Sequence, residues 1–299
     1  MASQGIIYQL SGLFTAELLV VSVASLRRWY NGPVTVFCTK DVHQLAEQIE
    51  ADKRLNVQLE PTILPRGGYQ CFDCEELAIC PKCQQTIEMR RPHWICKCFN
   101  YLLSPYDQTI YLDSDTIVLD DPSPLFTDGF TVARCADLRI VDEHQYPRSV
   151  RRQFRKFRHF SPILDRMVDR CYHANNYVIN NGVLSFGRNH PMLREMHHLC
   201  VGLGSQKMHD ELAIQLIAPD YNLNWVDGRW NALVAYETLW EQRKIAHYHH
   251  KYYAQLERGS SSWLPHCEYA LQKDFAGISR WCGKHNHYIA AVMRKMRVR

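Results

Sequence analysis

Between Gly5 and Leu59 apolar and polar runs alternate in a way that leaves few folds open to this 299-residue chain. Gly5 to Leu10 (GIIYQL) reads as a strand that stops at Ser11-Gly12. Phe14 to Tyr30 follows, with Leu18, Val21, Ser22, Ser25 and Trp29 at the i, i+3, i+4 spacings of a helix face. Arg27-Arg28 suit a helix C-terminus, and Asn31-Gly32-Pro33 breaks the helix. Val34 to Cys38 predicts a second strand, Asp41 to Ala51 a short polar helix, and Val57 to Leu59 a third strand. Strand, helix, strand, helix, strand is the order of an α/β protein, a mostly parallel sheet with helices on both faces. Ligands of such sheets lie beyond the carboxyl ends of the strands, which places Tyr8 and Ser11 at the ligand edge.

A second constraint lies in Gln108 to Phe126, QTIYLDSDTIVLDDPSPLF. An apolar strand (Ile110, Tyr111, Leu112) runs into Asp113-Ser114-Asp115 and then into another apolar run, Thr116 to Leu119. In an extended segment residues i and i+2 share a side, so Asp113 and Asp115 converge while Ser114 faces away. Two carboxylates ending a buried strand are costly unless a cation lies between them. A hard divalent ion with oxygen ligands, which often carries a substrate phosphate, is the natural partner. The plainer alternative is a pair of Asp residues capping strand ends in a turn.

Composition excludes some classes. Hydrophobic content of 46% and charged content of 22% belong to an ordinary globular protein. A net charge of +4 and a pI of about 8.4 allow a mild affinity for anions without demanding nucleic-acid binding. Met1 to Leu10 lacks the basic and apolar regions of a signal peptide. Leu13 to Leu26 carries Glu17 and is too short to span a bilayer, so no transmembrane segment and a cytoplasmic location are expected. In that compartment the twelve Cys are not read as disulfides. Cys71, Cys74, Cys80 and Cys83 form two C-x-x-C pairs with a five-residue spacer, a thiolate set suited to one structural Zn²⁺. Such a site would staple an insertion at about 67–90 that is too small for a core of its own. The scattered cysteines, Cys38 and Cys200 among them, read as core residues.

Further along, Arg90 to Leu103 predicts a helix with Trp94, Cys98, Tyr101 and Leu102 inward and Lys97 available to a phosphate. Phe130 to Ala133 predicts a strand leading to a third carboxylate, Asp137. Six basic residues between Arg148 and Arg158, with Val150, Phe154 and Phe157 at helical spacing, predict an amphipathic basic helix. Asn175 to Phe186 reads as a strand carrying Asn180, Asn181 and Gly182 in its middle. Amides and a glycine inside an apolar run make sense where the backbone approaches a hydroxylated ligand. Asp210 and Glu211 open a helix, where acidic residues also suit the macrodipole. Ile245 to His250 ends in three His within four residues, and His247 and His249 share a face; one of the three would complete a metal site begun by the two Asp.

The order of these motifs resembles that of the GT-A glycosyltransferases, and within them the family 8 group that includes glycogenin and galactinol synthase. The resembling segments are SLRRWYNGPVTVF, KCFNYLLSPYDQTIYLDSDTIVLDDPSPLF, YVINNGVLSF, HDELAIQLI and IAHYHH. They span residues 5 to 252 apart from the insertion, which the family pattern lacks. The resemblance implies one catalytic domain over 1–252 and a C-terminal helical, basic extension over 253–299 packed on it. It implies a nucleotide-sugar donor, usually linked to uridine diphosphate (a UDP-sugar), held with Mn²⁺ or Mg²⁺. Asp113 and Asp115 match the metal-binding D-x-D, Ser114 lies between them at the donor, and His247 matches the late His ligand. Lys97 and, more loosely, Arg91 match basic residues facing the donor, and Lys251 is a candidate for the diphosphate. Asn180 and Gly182, with Asn181 between them, match the segment lining the sugar, and Asp137 the carboxylate beside it. Asp210 matches the first residue of a D-Q pair whose second position is here Glu211, so Asp210, Glu211 and Asn180 are the catalytic candidates. The segment after His247, YHHKYY, departs from the family ending. Family members retain anomeric configuration, which implies retention here.

Acceptor and oligomeric state are not encoded legibly: a glycan, a lipid-linked sugar or a protein fits, and the basic segments permit an anionic one. Two other classes compete. A nucleotidyltransferase would want a Gly- and Lys/Arg-rich loop after the first strand, and QLSGLFTAE is not one. A zinc-stapled nucleic-acid-binding protein would rest on the Cys cluster and the basic helix, and would bind with steep salt dependence.

Overall fold

In the computed structural model, residues 2–11, 13–39, 42–62, 92–139, 177–202, 209–233 and 243–247 are described. The Cys-rich insertion with its zinc candidates, the basic helix at 148–158, Arg91, His249, His250, Lys251 and the extension at 253–299 lie outside the described residues. In chain order the strands are β1 (Gln4–Leu10), β2 (Val34–Cys38), β3 (Gln58–Pro61), β4 (Gln108–Leu112), β5 (Thr116–Val118), β6 (Phe130–Arg139), β7 (Tyr177–Gly187), β8 (Asn224–Val226), β9 (Ala232–Leu233) and β10 (Ile245–His247). The helices are α1 (Leu13–Leu26), α2 (His43–Ala51), α3 (Pro92–Leu102), α4 (Pro191–Gly202) and α5 (His209–Ile217).

The chain divides into two compact units interleaved in sequence: Gln4–Pro61 with Ile110–Phe126 and Gly228–Arg299, and Met1–Ser3 with Thr62–Thr109 and Thr127–Asp227. In the first, strands run in the order β3-β2-β1-β4. The pairs β1–β2 and β2–β3 are parallel, with Ile6 opposite Val34 and Val36 opposite Leu59. Every residue of β2, and all of β1 after Gln4, is buried, as strands covered on both faces must be. Helix α1 is apolar almost all round, and from Leu18 to Leu26 its residues are buried except Ala24. Its two buried serines are used: Ser25 Oγ donates to the Ser22 carbonyl at 2.7 Å and accepts the Val118 N–H at 2.9 Å. The expected continuation of the helix to Tyr30 is replaced by a turn after Leu26. There the Arg27 guanidinium collects the carbonyls of Leu55 (2.7 Å) and Gly32 (2.6 Å). A small sheet of order β5-β10-β9 completes this unit, β10 antiparallel to β5 and parallel to β9.

In the second unit the strand order is β7-β6-β8, with β6 antiparallel to β7 and parallel to β8. Helices α3, α4 and α5 pack on one another, and α5 packs on β7. Of the inward positions expected on α3, Cys98 and Tyr101 are buried, and Leu102 is only partly so. Strand β7 ends at Gly187, where a Cβ would collide with the Asp128 carbonyl oxygen, so a larger residue would push the two backbone segments apart.

The β6–β7 register breaks in the middle. Val132 faces Leu184 but Arg134 faces Ile179, so two residues of advance on β6 correspond to five on β7. The extra length is a bulge at Asn180–Val183, and the amide and glycine run that looked odd inside an apolar strand is its content. The bulged backbone is held from both sides: Ile179 N–H donates to Gln215 Oε1 on α5 at 2.8 Å, and Gly182 N–H to Asn180 Oδ1 at 3.0 Å.

Candidate functional site

Asp113-Ser114-Asp115 joins β4 to β5 not as extended chain but as a tight turn. The i, i+2 argument from strand geometry therefore does not explain why the two carboxylates meet; the turn does. Thr116 closes it, its N–H reaching the Asp113 carbonyl at 3.2 Å and its Oγ1 donating to the same oxygen at 2.8 Å. Thr116 Oγ1 also lies 2.9 Å from Ser22 Oγ on α1, which ties the turn to a deeply buried helix of this unit. The Tyr111 hydroxyl donates to Asp113 Oδ1 at 2.5 Å. On β10, His247 pairs in register with Thr116, which brings its ring to the turn. Nε2 of His247 lies 3.1 Å from Asp115 Oδ1 and 3.7 Å from Asp113 Oδ2.

One donor atom from each of Asp113, Asp115 and His247 lies within 4.8 Å of the other two, the one such group among the described residues. Two half-buried carboxylates and a buried imidazole with a nitrogen aimed at them fit a divalent cation of the Mg²⁺ or Mn²⁺ type, with faces left for water or phosphate oxygens. Ser114 is partly exposed beside them.

The second unit holds a different polar cluster, built on the bulge. Consecutive residues of a regular strand point to opposite faces, yet both Asn180 and Asn181 reach the first turn of α5. Asn180 Nδ2 donates to Glu211 Oε1 at 2.7 Å, and Asn181 Nδ2 donates to Asp210 Oδ2 at 3.0 Å. Lys97 on α3 closes the set, its Nζ donating to Asn181 Oδ1 at 3.1 Å and lying 3.5 Å from Asp210 Oδ2. All five side chains are buried. Behind them Cys98 on α3 and Cys200 on α4 are hydrogen-bonded to each other, and burial holds the Cys200 thiol well above its ordinary pKa, as a neutral group. Burial likewise pushes Cys96 up to about 12. These cysteines, with buried Cys38, are core residues, as the sequence suggested for Cys38 and Cys200.

Asp137 falls on β6, and its side chain is outside the described set. Ser11 is partly buried, its carbonyl accepting the Thr15 hydroxyl at 3.0 Å. Tyr8 is fully buried: its oxygen accepts from Ser22 at 3.1 Å, and burial raises its pKa far above the ordinary phenol value. Four residues that hold the two clusters or the backbone beside them have no sequence signal. Tyr111 and Thr116 read only as strand residues, Gln215 as a helix residue, and Asn231, which touches His247, lies sixteen positions away from it.

These elements define the fold of the GT-A glycosyltransferases: mixed α/β with a mostly parallel central sheet. In particular, the chain is similar to the glycosyltransferase GlyE of Streptococcus pneumoniae TIGR4, with a TM-score of 0.54 and 13% identity over 95% of this chain and 64% of that one. Weaker similarity reaches the galactosyltransferase LgtC solved with donor and acceptor sugar analogues (TM-score 0.48, 15% identity, 82% of this chain, 86% of that one). It also reaches the bifunctional glycosyltransferase WbbM (TM-score 0.49, 13% identity, 83% of this chain). The chain spans 46% of the length of WbbM. No protein-family model and no curated protein sequence matches. Among the described residues no helix is long and apolar enough to cross a membrane.

Proposed function

We propose that this chain is a metal-dependent glycosyltransferase that moves a sugar from a nucleotide diphosphate donor to an acceptor hydroxyl. The observation that carries the reading is the meeting of Asp113, Asp115 and His247 at one point on a GT-A fold. Departure of a sugar from a diphosphate builds negative charge on the leaving group, and the enzyme's main task is to stabilise it. A divalent cation held by Asp113, Asp115 and His247 would supply Lewis-acid stabilisation of that charge and a template for the phosphates. The residues themselves do the holding: Thr116 clamps the Asp113 backbone carbonyl, the Tyr111 hydroxyl fixes the Asp113 carboxylate, and β10 fixes the His247 ring.

Lys97 is assigned to the donor diphosphate, Asn180, Asn181 and Gly182 to the donor sugar, and Asp210, Glu211 and Asn180 to catalysis, by the places they hold in the family 8 motifs, from which Glu211 itself departs. Their hydrogen-bonded geometry supports a binding role, because buried amides and carboxylates held in fixed orientation suit recognition of sugar hydroxyls. Ser114, Asp137, Arg91 and Lys251 are assigned to the donor on the same resemblance, and Ser11 by its place at the carboxyl end of β1. A UDP-sugar donor, transfer with retention, and a cytoplasmic setting complete the proposal, with a glycan, lipid-linked sugar or protein as acceptor. Glu211 stands where the family has an amide, so an NMR assay of the product's anomeric configuration is the direct check on retention.

The test of the function is a donor-hydrolysis screen of nucleotide sugars with Mn²⁺, run beside Asp115→Ala. Turnover of one UDP-sugar that disappears in the variant supports the reading. Equal turnover in both proteins, or none with any donor, sinks it.

A further inference from the structure

The His247 ring has two different neighbours. On one edge, Nε2 faces the carboxylates of Asp115 and Asp113 at 3.1 and 3.7 Å. On the other, Nδ1 lies 2.9 Å from Oδ1 of Asn231. Asn231 ends the 3₁₀ helix Gly228–Asn231, is fully buried, and runs directly into β9. Strand β9 lies parallel beside β10 with Leu233 opposite His247, so the amide stands on the residue that leads into the strand paired with that of the imidazole.

An amide carbonyl oxygen can only accept a hydrogen bond, so a ring nitrogen facing it at 2.9 Å carries the proton. A neutral imidazole has one such proton, and its other nitrogen is then a lone pair. We propose that Asn231 is a positioning residue for the metal centre: its Oδ1 fixes His247 as the Nδ1–H tautomer and turns the Nε2 lone pair toward Asp113 and Asp115. The inference rests on the metal reading of that triad. In the opposite tautomer Nε2–H would donate to Asp115, and the ring would be a hydrogen-bond donor to the carboxylates instead of a ligand beside them. Loss of the amide acceptor favours that opposite tautomer, because it removes the acceptor facing Nδ1 while Asp115 remains as an acceptor facing Nε2. Partners of this kind on the far nitrogen of a ligating histidine typically change metal affinity by about 10–100-fold when removed.

The test has two parts, both on the full chain. The first is long-range ¹H–¹⁵N correlation on metal-free protein, at a pH where the ¹⁵N shifts themselves report a neutral ring, with His247 assigned by its loss in His247→Gln. The Nδ1–H pattern is expected, and an Nε2–H pattern overturns the proposal. The second is titration with Mn²⁺ alone, followed by the electron paramagnetic resonance of the free ion. Asn231→Asp, whose oxygens accept only, keeps the parent's affinity, and Asn231→Leu weakens it by about 10–100-fold. If the parent binds Mn²⁺ and Asn231→Leu binds it equally well, the positioning role is overturned and the metal centre stands. If the parent binds no Mn²⁺, the metal reading itself falls. Should Asn231→Leu fail to fold, the tautomer of the parent and the affinity of Asn231→Asp still decide, weakened binding by the latter counting against the proposal.

Discussion

Thr116 holds Asp113 by its backbone: two donors of Thr116, the N–H at 3.2 Å and Oγ1 at 2.8 Å, converge on the Asp113 carbonyl oxygen. The Thr116 side chain is fully buried, so the hydroxyl cannot be replaced by solvent. Thr116→Val keeps the shape and removes one donor from a buried carbonyl and one partner from Ser22. The expected cost is about 1–3 kcal/mol of unfolding free energy. Urea denaturation of parent and variant measures it, and an unchanged midpoint would mean that the N–H alone closes the turn.

Asp113 and Asp115 crowd two carboxylates into one turn, so a bound cation stabilises the folded state by mass action. At Mg²⁺ or Mn²⁺ concentrations about 100 times the dissociation constant the gain is about 2.7 kcal/mol. Thermal melts of the parent are expected to shift upward with added Mn²⁺, and those of Asp115→Asn to shift far less. The metal-free Asp115→Asn protein should be no less stable than the parent, because a like charge has been removed. A shift of equal size in both proteins would place the cation elsewhere.

Lys97 and Asp210 are buried partners at 3.5 Å, their side chains 7% and 8% exposed. Removing one member strands the other charge, so Lys97→Met should cost about 3–5 kcal/mol. The double variant Lys97→Met/Asp210→Leu should recover much of that loss, since an apolar pair replaces the ion pair. Chemical denaturation of the two single variants and the double one forms a cycle, and additive losses would show that the pair is not coupled.

His190 packs against Phe130 and Tyr221 at ring-centroid distances of 5.5 and 5.8 Å, and burial lowers its pKa below the ordinary 6.5. Its neutral form is favoured in the folded state, so below about pH 6.5 the unfolded chain binds the proton first. The contribution of His190 is therefore complete above that pH and is lost as the pH falls toward the lower folded value. His190→Phe should flatten the stability profile in this window. An unchanged slope in the variant would remove His190 as the source.

Much of the architecture was legible because it rests on local pattern. The βαβαβ opening follows from apolar runs of strand length separated by helical spacing, and β1, α1, β2, α2 and β3 lie where those runs stand. The end of α1 was less legible. Its helical spacing continues past Leu26, but the Arg27 side chain draws on carbonyls from residues 32 and 55, a competition that spacing cannot register. The site divides in the same way. Asp113 and Asp115 could be nominated because carboxylates at a strand end are unusual in apolar surroundings, while the residues left the third ligand open among His247, His249 and His250 and only the family resemblance pointed to His247.

How those three residues meet was decided in three dimensions. The carboxylates converge through a turn closed by Thr116, and the histidine arrives by the antiparallel pairing of β10 with β5, a contact between segments more than a hundred residues apart. Asn180 and Asn181 stood out in sequence as polar residues in a strand. That both face α5 depends on a bulge, which exists only once β6 supplies the register from which β7 departs. Asn231 shows the limit most plainly: nothing local marks one amide in an aromatic loop, and its partner is set by β9 lying beside β10. By itself the sequence determined which side chains are available for chemistry and where most of the described strands and helices stand, because both follow from residue type and spacing. Only the tertiary structure decided which atoms face one another, because that depends on pairing between distant segments.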